Sequence, residues 1–280
     1  MAMVDRLGPV GLCAVLLGST GVPALAQTSS PPATAPTAVS KNRLFLRFVQ
    51  DSALVPSFWL EGQGQWLSNT ADFPDEDGDV SDATLFATGA IFAMNVAEDF
   101  EFGGRLALAH RDPDDGGGDT GLTDTDLWGK VSVVTDPMKI SVGVLFTLPT
   151  GSEDDFLGTG ETNVEFFAGA RKEWGKFTLA GNLGIRINQD ADLGDSIELE
   201  GQNSLLGGVA MLITATSNLT LVLEYAIESE RYEGLSNDAR LFGGFDWSLS
   251  EHFMLRGGVG GGLSEGAPDF QMIGSIVWLF

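Results

Sequence analysis

From Phe58 to Phe280 the apolar residues fall on alternate positions. Met138, Ile140, Val142, Val144, Phe146 and Leu148 form one such set, and Leu219, Leu221, Leu223, Tyr225 and Ile227 another. Phe270, Met272, Ile276, Trp278 and Phe280 form a third at the end of the chain. A period of two is that of an extended strand with one face in an apolar medium. The pattern divides into 12 segments of about ten residues, the length a tilted strand needs to cross a bilayer. The opposite parity of the last segment carries Gln271 and Ser275 but also Ile273, Val277 and Leu279, so the enclosed face is not simply wet.

The connections alternate as regularly as the strands. Short ones fall at 97–99, 135–137, 172–176, 216–218 and 250–252, and long ones at 69–82, 111–126, 149–161, 188–202, 229–238 and 264–269. This places both chain ends on the short-turn side, as in outer-membrane barrels. In hydrocarbon every backbone N–H and C=O must be bonded internally, so strands span only as a closed cylinder. The expectation is therefore an all-β, 12-stranded transmembrane antiparallel barrel over 58–280, with both termini periplasmic. A soluble β-sandwich is the alternative, but its loops have no reason to split into two classes of length and charge.

The stretch before Phe58 divides into three. Residues 1–26 hold a charged start (Asp5, Arg6), the apolar run LGPVGLCAVLLG and an Ala24-Leu25-Ala26 site, which read as a signal peptide cleaved before Gln27. Residues 27–41, rich in Pro, Ser, Thr and Ala, read as a flexible linker. In 42–57, Leu44, Phe45, Phe48, Val49 and Ala53 share a helical face, which predicts a short amphipathic helix at or inside the barrel mouth, a candidate plug. An extra strand is the other reading.

Charge sharpens the sidedness. The net charge is −24, and 26 of the 39 acids lie in the six long connections against only Arg111 and Arg231. One rim of the barrel should therefore be acidic, which excludes nucleic acid as a partner and favours cations or neutral solutes at that mouth. Cys13, the one cysteine, lies in the signal region, so the mature chain has no disulfide or thiolate metal site.

Candidate chemistry sits on the inward parity, where Glu61, Gln63, Glu101, Arg105, Lys130, Lys139, Glu165, Arg171, Arg186, Glu224, Arg240, Asp246 and Arg256 should line the pore. They read either as an ion-pair ladder filling the lumen or as a lining that orients a solute. Trp128, Leu145, Phe167, Phe242 and Ile273 also point inward, so the lumen is not purely aqueous. Twelve strands should leave a narrow path. Asp75, Asp77, Asp79 and Asp82 space oxygens as a hard cation requires, without the glutamate that closes a calcium loop. The expectation is Ca2+ or Mg2+ held loosely, bridging to lipopolysaccharide, or else a solvated acidic rim, with no other cofactor. His110 and His252 cannot be paired with a serine nucleophile from the sequence, so no catalytic residues and no enzyme activity are expected. RGGVGGGL (256–263) precedes no helix; its glycines allow either tight wall curvature or a lateral exit.

The stretch FTLPTGSEDDFLGTGE (146–161), followed by FFAGARKEWGKFTLAGNLGIRI (166–187), resembles the outer-membrane protein family named for the meta-cleavage pathway of phenol degradation. Pro149 ends a strand there and Gly151 permits the turn. The resemblance implies passage of small solutes, aromatic or hydrophobic compounds among them. The closing Trp278 and Phe280 resemble the terminal signal read by the barrel-assembly machinery. The combined expectation is a passive channel in the Gram-negative outer membrane, in contact with its lipid. The alternative is a closed structural or interaction barrel whose acidic loops bind divalent cations, lipopolysaccharide or a partner.

Overall fold

The computed structural model describes residues 40–74, 80–113, 117–135, 137–193 and 197–280. The signal-peptide expectation, and the linker up to residue 39, fall outside them. The strands are β1 (Phe58–Pro74), β2 (Val80–Ala97), β3 (Phe100–Pro113), β4 (Asp119–Leu122) and β5 (Thr125–Thr135). Next come β6 (Met138–Leu148), β7 (Asn163–Trp174), β8 (Phe177–Ile187), β9 (Ala191–Leu193) and β10 (Ile197–Leu199). The chain closes with β11 (Ser204–Thr214), β12 (Leu219–Glu228), β13 (Asp238–Ser248), β14 (Phe253–Gly262) and β15 (Phe270–Leu279).

These strands close into one antiparallel barrel. β1 joins β15 through ten pairs, from Trp59↔Leu279 to Ser68↔Phe270, and joins β2 on its other side. β4 and β5 are two pieces of one wall strand, since both pair with β3. Arg105 faces Asp126 and Leu108 faces Leu122, so three steps on β3 meet four on its partner. The extra residue is a β-bulge at Thr123–Asp124. β9 and β10 form a separate hairpin within a long connection. The wall therefore has 12 strands, as the periodicity predicts.

The two parities separate as the bilayer requires. Along β15, Phe270, Met272, Ile276, Trp278 and Phe280 are exposed, while Gln271, Ile273, Ser275, Val277 and Leu279 are buried. At the short-turn rim Trp278 stacks on Phe253 and Phe280 at 5.6 and 4.6 Å, and Phe280 meets Phe58 at 5.3 Å. Rings of this kind suit a membrane–water boundary.

Two expectations change. The segments 69–82 and 111–126 are largely strand rather than loop: β1 and β2 run for 17 and 18 residues and β3 for 14. A hairpin that rises beyond the wall satisfies its own backbone hydrogen bonds whatever its side chains, so the polarity pattern does not reveal it. Among the described residues there is also no α-helix, and the segment 42–57 makes a single turn, Asp51 N–H to Arg47 O at 3.0 Å. The glycines of β14 serve close approach. A Cβ on Gly258 or Gly260 would meet a β13 carbonyl oxygen at 2.5 Å and the Phe242 side chain at 2.6 or 2.8 Å. The β13–β14 ladder is unbroken from Arg240↔Gly262 to Ser248↔Met254, so the wall is shut there in this structure.

Candidate functional site: a plugged lumen and its chamber

Residues 43–55 lie inside the barrel, nearly all of them buried. Their wall partners come from β3, β5, β7, β12 and β14, so the segment is gripped from around the lumen. Glu224 accepts the N–H groups of Phe45, Leu46 and Arg47 at 2.8, 3.0 and 2.7 Å. Glu101 accepts Arg43 at 3.0 Å and the Val55 N–H at 2.7 Å, and sits 3.2 Å from Lys130 Nζ. Arg256 donates to Asp246 at 2.8 Å and Glu61 at 3.3 Å, and also to the carbonyls of Arg43 and Leu44. Its guanidinium lies over the Phe45 ring at 4.2 Å.

This grip explains why the predicted helix does not form. An α-helix would use the segment's own carbonyls. Here Arg43 takes Phe48 O, Lys130 takes Val49 O and Asp51 O, and Ser132 takes Ser52 O. Side chains of the wall, with the segment's own Arg43, bond the carbonyls that a helix would have bonded through its backbone. Asp51 pins the turn from within, accepting the N–H groups of Leu44 and Ala53 and an ion pair from Arg171 at 3.1 Å. Burial alone would raise its carboxyl, but Arg171, Arg43 and Lys130 outweigh that and hold it down at about 2.

Close approach completes the seat. A Cβ on Gly169 would lie 2.5 Å from Gln50 O and 3.4 Å from Ser52 N. Gly169→Val should therefore displace the plug, at a cost of about 1–3 kcal/mol typical of overpacking. Trypsin cleavage at Lys41, Arg43 and Arg47 checks this, and protection equal to that of the parent would contradict it.

The plug occupies the half of the lumen near the short turns. In the other half it floors a chamber of about 510 Å³. The lining of this chamber carries six arginines, Arg47, Arg105, Arg186, Arg231, Arg240 and Arg256, against four acids, Asp124, Asp126, Glu228 and Asp238. Glu228 is shared: Arg186 reaches it at 2.7 Å, Arg231 at 2.6 Å and Arg47 at 3.9 Å. Arg186 also pairs with Glu165 at 2.6 Å. The ion pair with Glu228 raises the Arg231 guanidinium even though half of that side chain is exposed, so this cation is fixed. On β1 and β2 the lining is mostly aliphatic, with Leu67, Leu85, Ala87 and Ile91, interrupted by Gln63 and Gln65.

The segment between β6 and β7 packs against the chamber through Leu157. The β-bulge aims Asp124 at that segment, where its carboxylate accepts the N–H groups of Gly151 and Thr159, both at 3.0 Å. Gly151 and Gly158 lie back to back, each with an ideal Cβ position 2.8 Å from the other's Cα. LPTGS and LGTG are thus two sides of one tight fold around a carboxylate, more than the simple turn the spacing suggests. Beside it Ala191, Leu199 and Tyr232 form a small apolar cluster with Phe156 and Leu235.

The sequence-predicted pore residues separate into groups. Glu61, Glu101, Lys130, Glu165, Arg171, Glu224, Asp246 and Arg256 are buried and contact the plug or one another. Gln63, Arg105, Arg186 and Arg240 line the open chamber, with Arg105 paired to Asp126 and Arg240 to Asp238. Lys139 binds Glu173 at 2.8 Å near the short turns. Sequence reasoning missed Arg47, Asp51, Asp124, Asp126 and Arg231 as members of the site, whereas Glu228 shares the inward parity of Glu224. Arg47 and Asp51 face the wall, and the others sit in segments read as loops. Asp75, Asp77 and Asp79 lie outside the described residues, and Asp82 is a β2 residue paired with Ala71. His110 contacts Thr120 at 2.8 Å, and His252 contacts Leu279 O at 3.0 Å.

A closed 12-stranded cylinder with an apolar outer belt is the architecture of an outer-membrane β-barrel. No protein-family model matches the chain, and no curated protein matches it. Among solved structures it is similar to an outer membrane channel from Pseudomonas putida F1. The TM-score is 0.64 at 16% identity, over 82% of this chain and 98% of that one. At that identity the likeness shows the fold. Weaker likenesses, each with a TM-score of 0.47, are to the CymD monoaromatic hydrocarbon channel and the Ralstonia pickettii toluene transporter TbuX. The first is 10% identical over 82% of this chain and 90% of that one; the second is 7% identical over 82% and 91%.

Proposed function

We propose that this protein is a passive channel of the bacterial outer membrane that admits small solutes, hydrophobic and aromatic compounds among them. The observation that carries the reading is the chamber of about 510 Å³ inside the lumen, floored by a segment held only through noncovalent bonds. Its aliphatic arc and the LPTGS…LGTG resemblance support an apolar solute body. Selection would come from pore width and lining charge, with no cofactor and no chemical step. In this reading the long connections face outward and both termini face the periplasm. The acidic rim would hold Ca2+ or Mg2+ loosely against lipopolysaccharide, and Trp278 and Phe280 would be read by the assembly machinery. Single-channel recording in planar bilayers tests the proposal: discrete conductance steps are expected. Silence from protein that is folded by heat-modifiable gel migration would remove the channel reading.

A further inference from the structure

We infer that the chamber binds amphiphilic monoanions, solutes with one carboxylate on an apolar body. The inference deepens the channel reading and rests on it for treating the ligand as a solute.

Three observations carry it. First, the six arginines of the lining are not equally compensated: Arg105 is matched by Asp126, Arg240 by Asp238 and Arg256 by Asp246 and Glu61, which leaves Arg47, Arg186 and Arg231 as the cationic group. Second, the surplus is concentrated. Arg47, Arg186 and Arg231 gather on Glu228, with Glu165 as the only further carboxylate in their ion pairs among the described residues. Arg47 is the least compensated. Its single ion pair is 3.9 Å long, and its Nε, like that of Arg186, is buried without a hydrogen-bond partner. A planar guanidinium with spare donors matches a carboxylate, which can accept two parallel N–H bonds.

Third, this group and the aliphatic lining stand apart. The strand order puts β12 and β8, which carry Glu228 and Arg186, four and six strands around the cylinder from β1. Leu67 is on β1 and Leu85, Ala87 and Ile91 are on β2; the one arginine beside them, Arg105, is paired with Asp126. A ligand with a charged head and an oily body satisfies both arcs at once. A purely hydrophobic one leaves the arginines facing carbon, and a purely polar one leaves the aliphatic arc wet. The acidic connections outside do not forbid such a ligand. At physiological ionic strength their field is screened over about 8 Å, so they slow entry more than they oppose binding deeper in.

The test is isothermal titration of the full folded chain in detergent with benzoate, benzylamine, benzyl alcohol and acetate. Benzoate is expected to bind about tenfold more tightly than the other three, the worth of one charge-assisted contact or of one buried ring. Arg47→Gln should remove most of that preference, with Arg231→Gln as a second variant should the first fail to fold. Equal or tighter binding of benzylamine, parity of acetate with benzoate, absence of benzoate binding, or full benzoate affinity in a folded Arg47→Gln protein would each overturn the inference. Conductance recorded on the same preparation separates the two readings. Benzoate binding without current leaves the chamber assignment standing and removes passage. Current without benzoate preference does the reverse.

Discussion

Deleting residues 42–55 should raise single-channel conductance severalfold while leaving a folded barrel. The wall does not depend on the segment: β1 closes on β15 through ten pairs, and each neighbouring pair of strands has its own ladder. What the deletion removes is the floor of the chamber, with the side chains of Leu44, Phe45, Phe48 and Val49 that fill the middle of the lumen. Water can then enter and hydrate Glu101, Lys130, Arg171, Glu224 and Arg256, so these groups exchange protein partners for solvent and are not stranded. Conductance should increase because the narrowest section becomes bare wall. Unchanged conductance in the deletion would mean that ions do not pass through the lumen the segment occupies.

Glu101→Ala should have the largest effect of any single substitution. The carboxylate is fully buried and binds Arg43, Lys130, the Val55 N–H and the Trp128 indole N–H together. Removing it leaves two buried cations facing each other without their shared anion, a loss of about 3–5 kcal/mol while the plug stays docked. The molecule can escape that cost by releasing the plug, so the expected readouts are rapid trypsin cleavage at Arg43 and Arg47 and raised conductance. Glu101→Gln should be intermediate, since an amide oxygen still accepts the Val55 N–H but supplies no charge. Full protease protection in Glu101→Ala would show that the other anchors suffice.

The sequence made the cylinder readable because lipid enforces a simple rule on every second residue. Met138 to Leu148 and Leu219 to Ile227 announce their strands, and the five short turns lie where alternation breaks. The heights of β1 and β2 were not readable, because beyond the membrane a hairpin needs only its backbone. The plug was half legible. Its apolar face was visible in Leu44, Phe45, Phe48 and Val49, but its lack of helix depends on Lys130 and Ser132 seizing carbonyls, and no local pattern encodes partners 79 to 81 residues away. The arginine cluster was least legible. Parity puts Glu228 inside at the end of β12, but Arg231 lies three residues beyond it, where parity no longer tells inside from outside. Arg47 comes from the plug itself, so only the folded chain brings the three guanidiniums together.

The inserted segment enters and leaves by one mouth: Ser40 N–H meets Leu54 O at 2.8 Å, four residues before β1 begins. A pull on the chain ahead of Ser40 would therefore peel the anchors away in sequence instead of shearing them together. The wall ladders begin at Phe58 and use no residue of the segment, so such unseating would leave every rung of the cylinder paired.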